Sequence, residues 1–257
     1  MKSIFVYVLG VIPAIILKSK ILFSLLLQGQ VVVVLKEIRR RFYSDEIFYW
    51  LRRDLRESFK QPDTGIALRL RPLRNDDIPK LLDSNTKYGD YQQIRGRIER
   101  VLFLKSGIST CYVAVTQHDD QPCFMQWLIG PEENKNLQAY FKGGIPLLAE
   151  DEVLLDFTLI PEKFRGRKIM PFAMSLVAEE GKRRGARWGI TYVPDNFIPS
   201  LRGCLSAGFV PFLVKKVKRR FFVRQVTYKP FNEEFANTFA AAMRGKQTSA
   251  QRNLLLS

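Results

Sequence analysis

The stretch over residues 152–184, EVLLDFTLIPEKFRGRKIMPFAMSLVAEEGKRR, constrains the fold more than any other part of the chain. Its first nine residues, 152–160, read as a strand, FRGRK reads as a turn, and the text beyond it reads as a helix. In that helix Ile169, Phe172, Ala173, Leu176 and Val177 recur at i, i+3, i+4, i+7 and i+8, one apolar stripe for packing on a sheet. Pro171 has no amide hydrogen and is tolerated only in a first turn, which places the helix start near Arg167 or Lys168. Strand, turn and helix start therefore coincide. The first amides of such a helix lack intrahelical partners and its dipole is positive there, so the turn offers a site for a phosphate or pyrophosphate. Arg165, Arg167 and Lys168 add full charges. A merely solvated basic loop is the other reading that these residues leave open.

The charge balance narrows the partner. A formal net charge of +16 over 257 residues calls for something anionic: a phosphate-bearing cofactor, nucleic acid or an acidic membrane face. No aromatic-interleaved stacking platform is present, which argues against nucleic acid, and KKVKRRFFVR (215–224) reads as an exposed edge strand. Cys111, Cys123 and Cys204 are odd in number and lack metal-ligand spacing, so a reducing, cytoplasmic compartment is expected and neither a disulfide framework nor a metal site. The one histidine, His118, lies in the polar turn QHDDQP and reads as a solvated turn residue. It leaves histidine-rich zinc chemistry and a Ser/His/Asp triad with little material.

Residues 3–17 and 21–35 are apolar runs of 15 residues each, separated by KSK and followed by KEIRRR. Both fall short of the ~18–20 residues of a spanning helix, and the small-residue site of a signal peptide is missing. Two readings stay open. Helices here pack on the body of the protein, or they lie in the inner face of a membrane with Lys36, Arg39, Arg40 and Arg41 against anionic headgroups.

The expected organisation is an apolar and basic helical extension (1–43), an α/β domain (44–230), and a C-terminal helix with a polar tail (231–257). Within the domain, TGIALRLRPL alternates as a strand, NDDIPKLL opens a helix, and IRGRIERVLF continues helical. TCYVAVT and CFMQWLI flank the His118 turn as a hairpin, and an irregular insertion runs over 130–149. After the strand–turn–helix come a strand in ARWGITYV, a short helix in SLRGCLSA and two closing strands in FVPFLV and RFFVRQVTYKP.

These residues resemble the GNAT superfamily of acetyl-CoA-dependent N-acyltransferases over about residues 65–228, most specifically over 152–209. The resemblance implies a mixed, mostly antiparallel central sheet flanked by helices. It also implies a loop of pattern Arg/Gln-x-x-Gly-x-Gly/Ala whose amides hold the coenzyme A pyrophosphate. Here the loop is Arg165, Gly166, Arg167, Lys168, Ile169, Met170, with Lys168 and Met170 where small residues are usual. NFIPSLRGCLSAGF is similar to the family's second signature, and Asn196, Ser200, Gly208 and Phe209 match it. By the resemblance, the backbone of Phe157, Thr158 and Leu159 would pair with the pantetheine arm and offer an amide to the oxyanion. Glu152, at the strand start, stands where several members carry a carboxylate base; a surface carboxylate is the equal alternative, with Asp156 on the same side of the strand in reserve. Cys204 stands where the family usually has a tyrosine acid, and is either that acid or a packing residue. The activity implied is transfer of an acetyl group from acetyl-CoA to a primary amine of a small molecule, an amino sugar or polysaccharide precursor being the expected class. A catalytically impaired module that binds coenzyme A or a partner, and a peripheral membrane scaffold, are the alternatives.

Overall fold

A computed structural model describes residues 30–82 and 91–244. Its strands are β1 (Tyr43–Asp54), β2 (Leu68–Pro72), β3 (Cys111–Thr116), β4 (Pro122–Ile129), β5 (Glu152–Leu159), β6 (Trp188–Pro194), β7 (Val210–Arg220) and β8 (Val223–Pro230). They form one sheet in the order β2-β3-β4-β5-β6-β1-β7-β8. All neighbours run antiparallel except β5 and β6, which are parallel. The helices are α1 (Val31–Phe42), α2 (Ile78–Leu81), α3 (Tyr91–Leu104), α4 (Asn134–Phe141), α5 (Ile169–Arg183), α6 (Ile198–Ser206) and α7 (Glu233–Met243). The mixed, mostly antiparallel sheet flanked by helices is thus the architecture found.

Because alternate strand residues point to opposite faces, the sheet builds two cores. On one face Tyr49, Leu51, Val153 and Leu155 meet Ala173 and Val177 of α5, Cys204 of α6 and Phe235 of α7. On the other, Trp50, Trp127, Leu154 and Ile190 meet Phe103 of α3 and Leu137 of α4. β4, central in the sheet, is buried along its whole length, which explains why it reads as a continuous apolar run.

Several expectations need correction. β1 is a long strand that the charged flanks of IFYW conceal; it is buried because it threads between β6 and β7. The 130–149 segment contains α4, which inserts Leu137 into the second core, and the Asn134 side chain ties the return by bonding both the carbonyl and the amide of Leu148 at 2.9 Å. KKVKRR is not an edge: β7 lies between β1 and β8, and Lys215 and Lys216 are only 7% and 5% exposed. Phe221 and Phe222 form the turn of that hairpin instead of continuing a strand. In α5 the buried face is wider than the expected stripe and takes in Pro171, Met174, Ser175, Ala178 and Gly181, while Phe172 and Leu176 sit at its margin.

At the N-terminus, α1 buries Val33 and Val34 against Ile94 of α3 and leaves Val31, Val32, Leu35 and Ile38 exposed. The run 3–17 and the first part of 21–35 lie outside the described residues. No helix among the described residues is long and apolar enough to cross a membrane. Arg40 does not face outward as expected: it pairs with Glu37 at 2.9 Å and Glu46 at 3.0 Å.

Two local features open the sheet near β5. β5 and β6 pair only from Glu152–Trp188 to Leu154–Ile190 and then diverge. On the other edge Met125 pairs with Leu159 and Trp127 with Asp156, so two residues of β5 face one of β4. This is a β-bulge, with Phe157 at φ 55°, and it bends β5 away from its parallel neighbour.

Candidate functional site

The turn between β5 and α5 forms as its sequence predicts. Phe164 anchors it in the first core, Gly166 takes φ 77°, and Lys168, the residue before α5, takes φ 54°. Glycine suits the first of these, since a left-handed backbone crowds any Cβ. A Cβ at Gly166 would meet nothing within 4 Å, so the space above the turn is open. The amides of Gly166, Arg167 and Lys168 have no hydrogen-bond partner among the described residues. Gly166, Arg167 and Lys168 line a cleft of about 310 Å³ together with Asp63, Thr64 and Gly65. Arg167 and Lys168 are exposed, while Arg165 is held by Glu162 at 3.3 Å and by the Ile160 carbonyl at 3.4 Å. Ile169 is buried in the core. Met170 packs so tightly on Gly203 of α6 that a Cβ there would lie 2.5 Å from its sulfur. The bulky residue at the end of the loop therefore fills the α5–α6 seam and does not line the cleft. These amides and cations fit a diphosphate.

The second feature lies where β5 and β6 part. Asp156 lies two residues beyond Leu154, the last residue of β5 that pairs with β6, and its Oδ1 accepts from the Phe157 amide at 2.6 Å. Its Oδ2 has no solvent contact and no partner in hydrogen-bonding geometry among the described residues. The Tyr192 hydroxyl, on the diverging part of β6, is its near neighbour. Burial pushes the Asp156 carboxyl up to about 6, against the pull of Tyr192, the Phe157 amide and Arg100. Burial and the adjacent carboxylate push the Tyr192 phenol well above its ordinary value. Tyr192 stacks on Trp50 at 5.1 Å between ring centroids, and Trp50 Nε1 is a second buried polar atom with no partner among the described residues. Lys215 completes the cluster, its Nζ 5.5 Å from the Tyr192 ring. Burial first, and then the Arg224 charge, lower its pKa to about 8. Phe157, Phe141 and Tyr140 pack on one another beside this cluster with stacked and edge-on rings.

The other expected residues distribute unevenly. Glu152 sits at the entry of β5, where its Oε2 accepts from the Ala149 amide at 2.9 Å. Four residues of strand, about 13 Å, separate it from Asp156. Cys204 is 1% exposed in the first core, on the face opposite Asp156, and burial pushes its thiol up to about 12. Asn196 is exposed in the turn after β6 and Ser200 is half-buried in α6. The backbone of β5 is not free along its diverging part. Arg100 of α3 donates from Nε to the Phe157 carbonyl at 3.1 Å and from Nη2 to the Thr158 carbonyl, and its Nη1 bonds the Gly96 carbonyl at 2.7 Å. The Thr158 hydroxyl accepts from Gln126 at 2.8 Å, and Leu159 pairs with Met125.

Tyr192, Arg100 and Lys215 were not singled out from sequence. For Tyr192 a signal exists: it alternates with Ile190, so it shares the face of the second core. Arg100 and Lys215 carry none, because their surroundings come from distant elements.

No protein-family model matches the chain, and no curated protein matches it. Among solved structures it is similar to the GCN5-related glucosamine N-acetyltransferase region of a fungal multi-domain β-N-acetylglucosaminidase, with 14% identity and a TM-score of 0.48 over 73% of this chain and 21% of that one. It is also similar to a GNAT-family acetyltransferase from Colwellia psychrerythraea, with 8% identity and a TM-score of 0.42 over 74% of this chain and 57% of that one. A GCN5-related N-acetyltransferase from Sphaerobacter thermophilus gives 11% identity and a TM-score of 0.45 over 77% and 56%. The chain spans between about a fifth and three fifths of these proteins. Likeness of this degree says nothing of activity. What stands on the chain's own strand order is a mostly antiparallel sheet with one parallel pair, whose first strand runs into a cationic turn and a helix.

Proposed function

We propose that the chain is an N-acyltransferase that passes an acetyl group from acetyl-CoA to a primary amine of a small molecule, an amino sugar or saccharide precursor. The observation that supports this most is that β5 carries both ends of such a site. Its turn has unpartnered amides beside Arg167 and Lys168, and its bulge holds a buried carboxylate with a raised pKa. The turn amides grip the diphosphate of the coenzyme, which supplies the thioester. Asp156, ionised above about pH 6, takes the proton of the substrate ammonium. The freed amine forms a bond to the thioester carbonyl carbon, and the carbon–sulfur bond breaks. Tyr192, whose phenol stays protonated at neutral pH, stands beside Asp156 to give a proton to the thiolate and to recover one from the nitrogen of the new amide. Cys204 is buried in the opposite core and is not given that part. Trp50 Nε1 offers a donor to a substrate oxygen, and the aromatic rings suit the apolar face of a sugar ring.

Calorimetry with acetyl-CoA on the native chain and on Gly166→Asp tests the turn. The variant should bind at least about tenfold more weakly, since it brings a negative charge beside the diphosphate; equal affinity would remove the turn from the site. Thiol release with a panel of amino sugars tests the chemistry. The Arg100 guanidinium on the Phe157 and Thr158 carbonyls favours the second reading, a module that binds coenzyme A without turnover. Binding without thiol release on any amine would select it.

A further inference from the structure

Nine of the twelve large hydrophobic side chains exposed among the described residues belong to one region: α1, the adjoining Tyr43, and the β7–β8 turn. Val31, Leu35, Ile38 and Phe42 recur at i, i+4, i+7 and i+11, so they form one outward stripe along the helix. The stripe ends against the turn. The rings of Phe221 and Phe222 lie 5.1 Å and 5.6 Å from that of Phe42, and the Phe221 amide donates to the Phe42 carbonyl at 2.8 Å. Arg220 locks the same corner by bonding Asp45 at 2.8 Å and lying 3.9 Å from the Tyr43 ring centroid.

The turn is built at a conformational cost. Phe221 and Phe222 take φ 49° and 67°, the left-handed backbone that such two-residue turns require and that asparagine and glycine adopt most readily. Two phenylalanines there leave their rings 74% and 63% exposed. Their ring contacts are with Phe42, which is itself exposed. Around them the charge is mostly positive: residues 31–43 and 218–224 hold eight basic residues and one acidic residue, Glu37, with Asp45 and Glu46 following on β1. Arg40 and Arg219 turn inward to Glu46, while Lys36, Arg39 and Arg224 remain at the surface. The chain before α1 is apolar over 3–17 and 21–29, so more apolar sequence leads into this face.

We propose that this surface docks on an anionic lipid bilayer, with Phe221, Phe222 and the α1 stripe entering the boundary between headgroups and acyl chains. Lys36 and Arg39 then meet headgroup phosphates, while Arg224 stays bound to the Phe141 and Lys142 carbonyls. An apolar patch rimmed with cations matches that partner, and neither a neutral bilayer nor an acidic protein supplies both halves. The inference does not depend on the acyl-transfer chemistry.

The test uses the full chain and vesicles of phosphatidylcholine, alone or with about a third phosphatidylglycerol. The native chain should float with the anionic vesicles and not with the neutral ones. Phe221→Ser/Phe222→Ser should weaken that binding by at least about tenfold, as loss of two interfacial rings demands. Undiminished flotation of the double variant would overturn the proposal, since residues 1–30 would then suffice. As a variant that keeps the patch apolar, Phe222→Trp should gain emission that brominated anionic lipid quenches; absence of quenching would also overturn it. So would a lipid-free dimer that the double variant dissociates, since a second copy would then be the occupant.

Discussion

Burial holds the Asp156 carboxyl at about 6 instead of the ordinary 3.8, and this has a sign that can be measured. A group whose folded pKa lies above its unfolded value contributes stability that is complete below the unfolded value and is lost as pH rises through the folded one. At neutral pH Asp156 therefore costs the fold on the order of 3 kcal/mol. Asp156→Asn should raise the melting temperature at pH 7, by less at pH 4, and lower turnover by about 10²–10⁴-fold if it is the base. A variant less stable at pH 7 would contradict the burial argument. Lys215 has the complementary sign. Its pKa falls from 10.5 to about 8, so its cost is complete below pH 8 and is relieved between pH 8 and 10.5. Lys215→Met should be more stable to urea at pH 7 by up to about 3 kcal/mol, with the gain shrinking above pH 8. The Gly144 carbonyl that Lys215 touches keeps Tyr228 as a donor at 3.0 Å. Of these residues only Asp156 was legible in sequence, as a carboxylate on the Glu152 side of the strand. That it is enclosed while Glu152 sits at the strand entry follows from the bulge and from Tyr192, both products of pairing with distant strands.

At the scale of elements, the parting of β5 and β6 depends on what holds the bulge. Arg100 donates to three backbone carbonyls, two of them on β5, and so ties α3 to the bent strand. Arg100→Met strands these acceptors and should destabilise the protein by about 2–4 kcal/mol, read as a lower urea midpoint. An unchanged midpoint would mean that the guanidinium is incidental to the bend. The strand–turn–helix around Gly166 was readable because every signal in it is local: an apolar run, a glycine, a proline confined to the first turn. β1 and α4 were not. The apolar IFYW of β1 lies between charged ends, and it becomes a central strand only by insertion between β6 and β7. α4 becomes a helix by seating Leu137 in a core built by other elements. The KKVKRR segment shows the same limit, since its lysines are buried by β8 and the aromatic cluster while their sequence reads as surface.

At the scale of the molecule, one sheet carries two candidate sites. The β5 end carries the cationic turn and the buried carboxylate, and the corner of α1 and the β7–β8 turn carries the exposed apolar patch. The net charge of +16 calls for an anionic partner without choosing one; the structure separates a candidate diphosphate cleft at the β5–α5 turn from a basic apolar face at α1. The mixed sheet with flanking helices was expected from the GNAT resemblance, while alternation along the chain marked only the individual strands. The aromatic cluster around Asp156 was not expected, because Trp50, Tyr192 and Tyr140 come from three separate stretches of chain. The claim on which the functional account rests is that Asp156 accepts the proton during acyl transfer. Its most direct test is the pH dependence of coenzyme A release with the best amine acceptor, on the native chain and on Asp156→Asn. The account predicts a limb rising through about pH 6 in the native chain that is absent, at much lower rate, in the variant. An identical profile and rate in both would contradict it.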